Sequence, residues 1–206
     1  MPSIVTEIPS LYSKKTQLDI ADFLDNDVYH YQTSPVNDST NRFVWIDLPF
    51  FKEPHLQLVE LVSKIFEEPV EPSYTCLSSY WAGTGDLPVH IDREACVYTL
   101  SYMIRCDMPC WPIYVSQKEL LDDERKHIFD TGMAFGQEKN FVDQIHKDTK
   151  FIKIDHPPNS AAFFSGTHRW HYRKQIPAGT AETVLFHYIP LHPDRPRPET
   201  KKPPLV

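Results

Sequence analysis

The residues of this chain best suited to chemistry stand in the run Tyr80-Trp81-Ala82-Gly83-Thr84-Gly85-Asp86-Leu87-Pro88-Val89-His90-Ile91-Asp92. In an extended strand, residues two apart project to the same face, so His90 and Asp92 can address one metal ion together. They offer a neutral imidazole and a carboxylate, two corners of a facial site that suits non-haem iron(II) and leaves three positions open. A His-x-Asp triplet arises readily by chance in a chain with ten histidines. Its setting distinguishes this one, because it follows a glycine-bearing turn after a strand-like run and precedes the β-rich stretch 96–104.

A third ligand must come from a strand distant in sequence, and residues 163–188 offer His168, His171 and His187. His171 is preferred. It lies in a strand-like run before Pro177 and Gly179, whereas His168 falls in the turn region after Gly166 and reads as a surface or supporting residue. Cys106 and Cys110 resemble half a metal site, but no second pair completes a zinc-binding set, so the four cysteines read as reduced thiols.

These groups need elements to hold them. Ser13 is placed to cap a helix over residues 14–24, and the apolar stripe of residues 53–66 predicts a second, closed by Glu67, Glu68 and Pro69. A strand over 41–51 is expected between them. Beyond Pro72 the pattern turns to short runs of β-branched and aromatic residues at 74–81, 95–104 and 111–115, and again at 151–155, 161–164, 170–174 and 182–188. Pro177-Ala178-Gly179-Thr180 reads as the hairpin turn between the last two. Residues 116–150 interrupt this body with a charged helical segment at 117–129 and a loop around Gly132 and Gly136, an insertion suited to a lid.

The expected fold is therefore mainly β with flanking helices, in a single domain over 1–206. It comprises N-terminal helices and a strand (1–72), a β core (73–189) and a proline-rich tail (190–206). The length of 206 residues suits one buried core. A net charge of −7 disfavours polyphosphate partners, so nucleic acid is not expected. No run approaches a bilayer span and no leader pattern opens the chain, which together with reduced thiols points to the cytoplasm and away from membranes. Oligomeric state is not legible.

Two blocks carry a resemblance to a known family. The tyrosine, glycine-rich turn and His-x-Asp of residues 80–92, with Tyr80 ten residues before the first ligand, is similar to the metal-binding block of the 2-oxoglutarate and iron(II)-dependent dioxygenases, in their prolyl hydroxylase-like branch. Residues 161–166, His171 and residues 184–188 resemble the family's closing strands. The resemblance implies a double-stranded β-helix core of the jelly-roll or cupin-like kind. It further implies Fe(II), 2-oxoglutarate as cosubstrate, O2, and ascorbate as an auxiliary reductant. His90, Asp92 and His171 would be ligands, and Tyr80 would line the cosubstrate pocket with Tyr98 or Tyr102 offering a hydroxyl.

One position departs from the family pattern. A basic residue normally stands nine or ten places after the distal histidine, to pair with the far carboxylate of 2-oxoglutarate; here those places hold Thr180 and Ala181. Arg173, two residues past His171, projects to the same inward face and offers a planar fork for a carboxylate from a neighbouring strand. The alternative is a surface or structural arginine paired with a carboxylate such as Glu182.

The expected reaction is hydroxylation of an unactivated C–H bond in a small molecule or a peptide residue. Asp92 argues against halogenation, which needs the carboxylate position vacated. Two other readings stand beside it: a cupin-like metalloenzyme that does not use 2-oxoglutarate, and a non-catalytic β-barrel binding module.

Overall fold

Along residues 98–106 the chain reads Tyr-Thr-Leu-Ser-Tyr-Met-Ile-Arg-Cys, and in the computed structural model this alternation separates two interiors. Tyr98, Leu100, Tyr102 and Ile104 enter the main hydrophobic core. Thr99 and Ser101, on the other face, reach polar groups brought by distant segments. The period of two in a strand produces this division.

The structure describes residues 5–31, 42–133 and 139–191. In order they form β1 (Thr6–Ile8), α1 (Lys14–Asn26), β2 (Phe43–Ile46), α2 (Lys52–Gln57), α3 (Val59–Phe66), β3 (Val70–Trp81), β4 (Leu87–His90), β5 (Tyr98–Cys106) and β6 (Ile113–Ser116). There follow α4 (Asp122–Asp130), α5 (Lys139–Asp148), β7 (Phe151–Ile154), β8 (Ala161–Ser165), β9 (His171–Arg173) and β10 (Thr180–Pro190). All strand pairs are antiparallel, in a six-stranded sheet of order β1-β8-β5-β10-β3-β2 and a four-stranded sheet of order β4-β9-β6-β7.

The two sheets face one another, with Ile113, Val115 and Ile154 of the smaller packed on Ala162 and Phe164 of the larger. The expected double-stranded β-helix is thus the observed fold. Ser13 caps α1 by accepting from the Thr16 N–H, and Ile20, Phe23 and Leu24 bury its apolar side against the larger sheet's outer face. α3 adds Val62 and Phe66 to that core, so the interior between the two sheets is separated from α1 and α3 by the larger sheet.

The helix expected over 53–66 is divided into α2 and α3 at Leu58, and the strand expected from Asn41 is the shorter β2; Asn41 itself lies outside the described residues, as do Gly136 and the proline-rich tail from 192. The hairpin expected at 177–180 is absent. β9 pairs with β4 and β6, whereas β10 pairs with β3 and β5, so residues 174–179 carry the chain from one sheet to the other. Gly179 turns there at φ 68°, with Asp107 accepting from the Thr180 N–H and hydroxyl. A proline-glycine turn sets a local reversal but not the sheet into which the next strand is inserted.

The insertion contains two helices. α4 and α5 place Ile128 and Ile145 against Val89, Ile91 and Trp170, covering the back of the strands that carry His90 and His171.

Candidate active site

β4 is an edge strand, which accommodates Pro88, and it ends at His90. Asp92 therefore lies beyond the strand, and its orientation comes from elsewhere: its N–H donates to Gly166 O at 2.8 Å, and its Oδ2 accepts from Thr99 Oγ1 at 2.8 Å. The chain kinks out of β4, but the two anchors return the carboxylate to the imidazoles. His171 opens β9 directly across from His90, with ring centroids 4.2 Å apart.

Asp92 Oδ1 stands 3.8 Å from His90 Nε2 and 3.5 Å from His171 Nε2. Each imidazole has Nδ1 engaged with the carbonyl two residues earlier, His90 with Pro88 O at 2.8 Å and His171 with Arg169 O at 3.0 Å. A carbonyl can only accept, so Nδ1 is the donor in both rings and Nε2 of each is turned to the shared space. Their donor atoms lie within 4.8 Å of one another, a set able to hold a metal ion.

Electrostatics agree with that use. Burial, reinforced by the neighbouring His171, lowers His90 to about 3, so its ring is neutral at pH 7. Burial by itself would raise Asp92, but His171, His187 and His90 outweigh it and hold the carboxyl below its ordinary range. A neutral His90 ring and an ionised Asp92 carboxylate are protonation states that metal binding requires.

Arg173 follows on the same inward face, only 4% exposed. Nη1 donates to Trp111 O at 2.6 Å; Nη2 donates to His156 Nδ1 at 2.8 Å and to Ser101 Oγ at 3.3 Å, and the guanidinium carbon lies 4.6 Å from the centre of the Trp111 ring. Burial lowers it to about 10, which leaves it protonated at neutral pH. Among the described residues no carboxylate pairs with it. Glu182 is bonded to Arg105 on the adjoining strand and is not the partner of Arg173.

No family model and no curated protein matches this chain in sequence. Solved structures do match it in shape. The α-ketoglutarate-dependent carbocyclase SnoK from nogalamycin biosynthesis superposes with a TM-score of 0.71 at 9% identity, over 89% of this chain and 79% of that one. HygX from Streptomyces hygroscopicus, solved with nickel, 2-oxoglutarate and hygromycin B bound, gives 0.56 at 11% identity, over 90% and 82%. AviO1 from Streptomyces viridochromogenes Tue57 gives 0.57 at 16% identity, over 93% and 91%. The chain has the fold of the 2-oxoglutarate-dependent non-haem iron oxygenases. The likeness does not single out the prolyl hydroxylase-like branch.

Within this oxygenase fold the expected tyrosines divide. Tyr80 faces the interior, its ring 4.7 Å from that of Trp111 and its hydroxyl accepting from Arg42 at 2.8 Å, so it borders the space around Arg173. Tyr98 and Tyr102 do not. Tyr98 stacks on Phe66 and donates to Glu68, and Tyr102 donates to Asn159 at 3.1 Å, both in the core beneath the helices. Their even-numbered places on β5 face away from the site, a consequence of strand alternation.

The hydroxyls that do face inward, Thr99 and Ser101, went unread in the sequence, although small hydroxyl residues alternating with large apolar ones were a signal for them. His156 had none: it stands in a proline-bounded loop, with Nε2 donating to Ser101 O at 2.9 Å and Nδ1 left to accept from Arg173. Ala181, at a place where the family pattern has a basic residue, is buried with Tyr80, Met103, Trp111 and Ile176. His168 is outside the triad; its Nδ1 meets Ser165 and Thr167, and its Nε2 lies 3.4 Å from Asp122 of α4. Cys106 and Cys110 are free thiols.

Proposed function

We propose that this chain is an Fe(II)- and 2-oxoglutarate-dependent oxygenase in which His90, Asp92 and His171 hold the metal and Arg173 receives the far carboxylate of the cosubstrate. The observation that carries this is a buried, protonated arginine without a carboxylate partner among the described residues, on the same strand and inward face as one member of a two-histidine, one-carboxylate set. An unpaired buried cation is costly, and an anionic ligand offsets that cost. The donor set suits iron(II).

When bound, the metal supplies activation of O2 coupled to oxidative decarboxylation of 2-oxoglutarate to succinate and CO2. The protein's own groups do the rest. Pro88 O and Arg169 O keep both imidazoles in the tautomer that offers Nε2, and His156, Ser101 and Trp111 hold the guanidinium in place. The insertion helices close the back of the site against water.

Hydroxylation of a C–H bond in a small molecule is the reaction proposed. SnoK, a carbocyclase from nogalamycin biosynthesis, and HygX, solved with hygromycin B, support a natural-product substrate over a peptide. Ala181 in place of a basic residue is the observation favouring the second reading, a metalloenzyme without 2-oxoglutarate.

Anaerobic titration with Fe(II) and then 2-oxoglutarate tests both. A weak visible charge-transfer band, lost in Asp92→Ala, is expected. Iron uptake without that band would favour the second reading, and no iron uptake would leave a binding module. Succinate release with candidate substrates then ranks them.

A further inference from the structure

Asp92 is the one member of the triad outside a strand, and its second oxygen has partners of its own. Thr99 Oγ1 donates to Asp92 Oδ2 at 2.8 Å, and His187 Nδ1 lies 3.2 Å from the same Thr99 oxygen. Thr99 and His187 stand directly opposite each other on β5 and β10. Since the single hydroxyl proton of Thr99 is committed to the carboxylate, the hydrogen between Thr99 and His187 comes from His187 Nδ1. The hydrogen bonds therefore run one way, from imidazole to hydroxyl to carboxylate.

Each link is fixed from behind. His187 is 2% exposed, its ring lies 4.6 Å from that of Tyr74, and its carbonyl accepts from His55 Nε2 at 2.9 Å. On its other side the register of β10 on β3 shifts between Phe186 and Tyr188, whereas its pairing with β5 runs unbroken through His187 and Thr99. Gly166 completes the cradle. It accepts from the Asp92 N–H, and a side chain there would meet Cys96 O and Thr99 Oγ1 at 2.6 Å and Asp92 Oδ2 more closely still.

We infer that Thr99 and His187 are positioning residues for the metal centre: Thr99, held by His187, occupies Asp92 Oδ2 and leaves Oδ1 to face His90 and His171. Carboxylate ligands left without such support adopt other orientations, and loss of a supporting hydrogen bond typically weakens metal binding by about 10–100-fold. The inference rests on the metal-centre reading of His90, Asp92 and His171.

Its test is equilibrium binding of Co(II) alone, followed by calorimetry and the visible spectrum of the bound ion, with thermal unfolding recorded for every variant. Thr99→Val is expected to raise the dissociation constant about 10–100-fold. Thr99→Ser, which keeps the hydroxyl, should return it to within about 3-fold of the wild type, and His187→Leu should give an intermediate loss. If Thr99→Val does not fold, His187→Leu against Thr99→Ser carries the comparison. Wild-type affinity in Thr99→Val and His187→Leu, alongside abolished binding in Asp92→Ala, would overturn the inference and leave the metal centre standing. Undiminished binding in Asp92→Ala would overturn both.

Discussion

Arg173 donates from Nη2 to the bare Nδ1 of His156 at 2.8 Å, so a buried cation is held by a neutral ring rather than by a carboxylate. Burial and the adjacent guanidinium both keep His156 well below its ordinary value, which preserves that acceptor. The arrangement fixes the arginine without neutralising it.

Arg173→Ala should accordingly abolish the 2-oxoglutarate-dependent visible band, or weaken cosubstrate binding by at least about 100-fold, the scale of a lost charge-assisted pair. Iron binding should change by less than about 3-fold, because none of the three proposed ligands touches the guanidinium. Arg173→Lys should recover little, since an ammonium cannot meet Trp111 O, Ser101 and His156 together with a ligand. Parallel titrations of iron and 2-oxoglutarate separate the two effects.

Tyr98→Phe and Tyr102→Phe should leave 2-oxoglutarate affinity at the wild-type level. Each removes a hydrogen bond in the core under the helices, to Glu68 and Asn159, at a cost of about 1 kcal/mol in stability. Denaturant unfolding with cosubstrate titration checks both halves. A loss of cosubstrate binding in either variant would contradict the facing of β5.

Gly166→Ala should cost about 1–3 kcal/mol and weaken metal binding, because the added methyl enters the space between Asp92 Oδ2, Thr99 Oγ1 and Cys96 O. Backbone on one side and two anchored polar groups on the other leave it no easy relief. Unfolding midpoints and Co(II) affinity provide the measure.

Stability should fall on mild acidification through His55. Burial lowers this histidine to about 4 against an ordinary 6.5, with its Nε2 donating to His187 O. The unfolded chain takes up the proton below pH 6.5 while the folded one resists until pH 4, so the stabilisation is complete above 6.5 and is lost as pH falls toward 4. Between pH 7 and pH 5 the loss attributable to His55 is on the order of 2 kcal/mol. His55→Gln should flatten that part of the profile, read from urea unfolding at the two pH values. An unchanged slope would exclude His55 as its source.

Much of the candidate site was legible because its signals are local. His90, Asp92 and Gly85 fall within eight residues of one another, and the placing of Arg173 on the face of His171 needed only the period of a strand. Periodicity of the same kind misled at Tyr98 and Tyr102, where alternation was evident but the identity of the inward face was not. The small hydroxyls Thr99 and Ser101 marked one face of that strand, but burial on both sides left the large aromatics of the other face looking equally suited to a pocket.

The chain's own order of residues thus determined the β-rich body, the cap of α1, the His-x-Asp pair, its partner His171 and an arginine on the inward face of β9. Tertiary structure alone decided which sheet each strand joins, and through that everything that depends on neighbours across a gap. It sent β9 and β10 to opposite sheets, gave Glu182 to Arg105, left Arg173 to His156, and brought Gly166, Thr99 and His187 behind Asp92. Side-chain spacing along one strand follows from covalent geometry, whereas strand pairing follows from the packing of the whole chain.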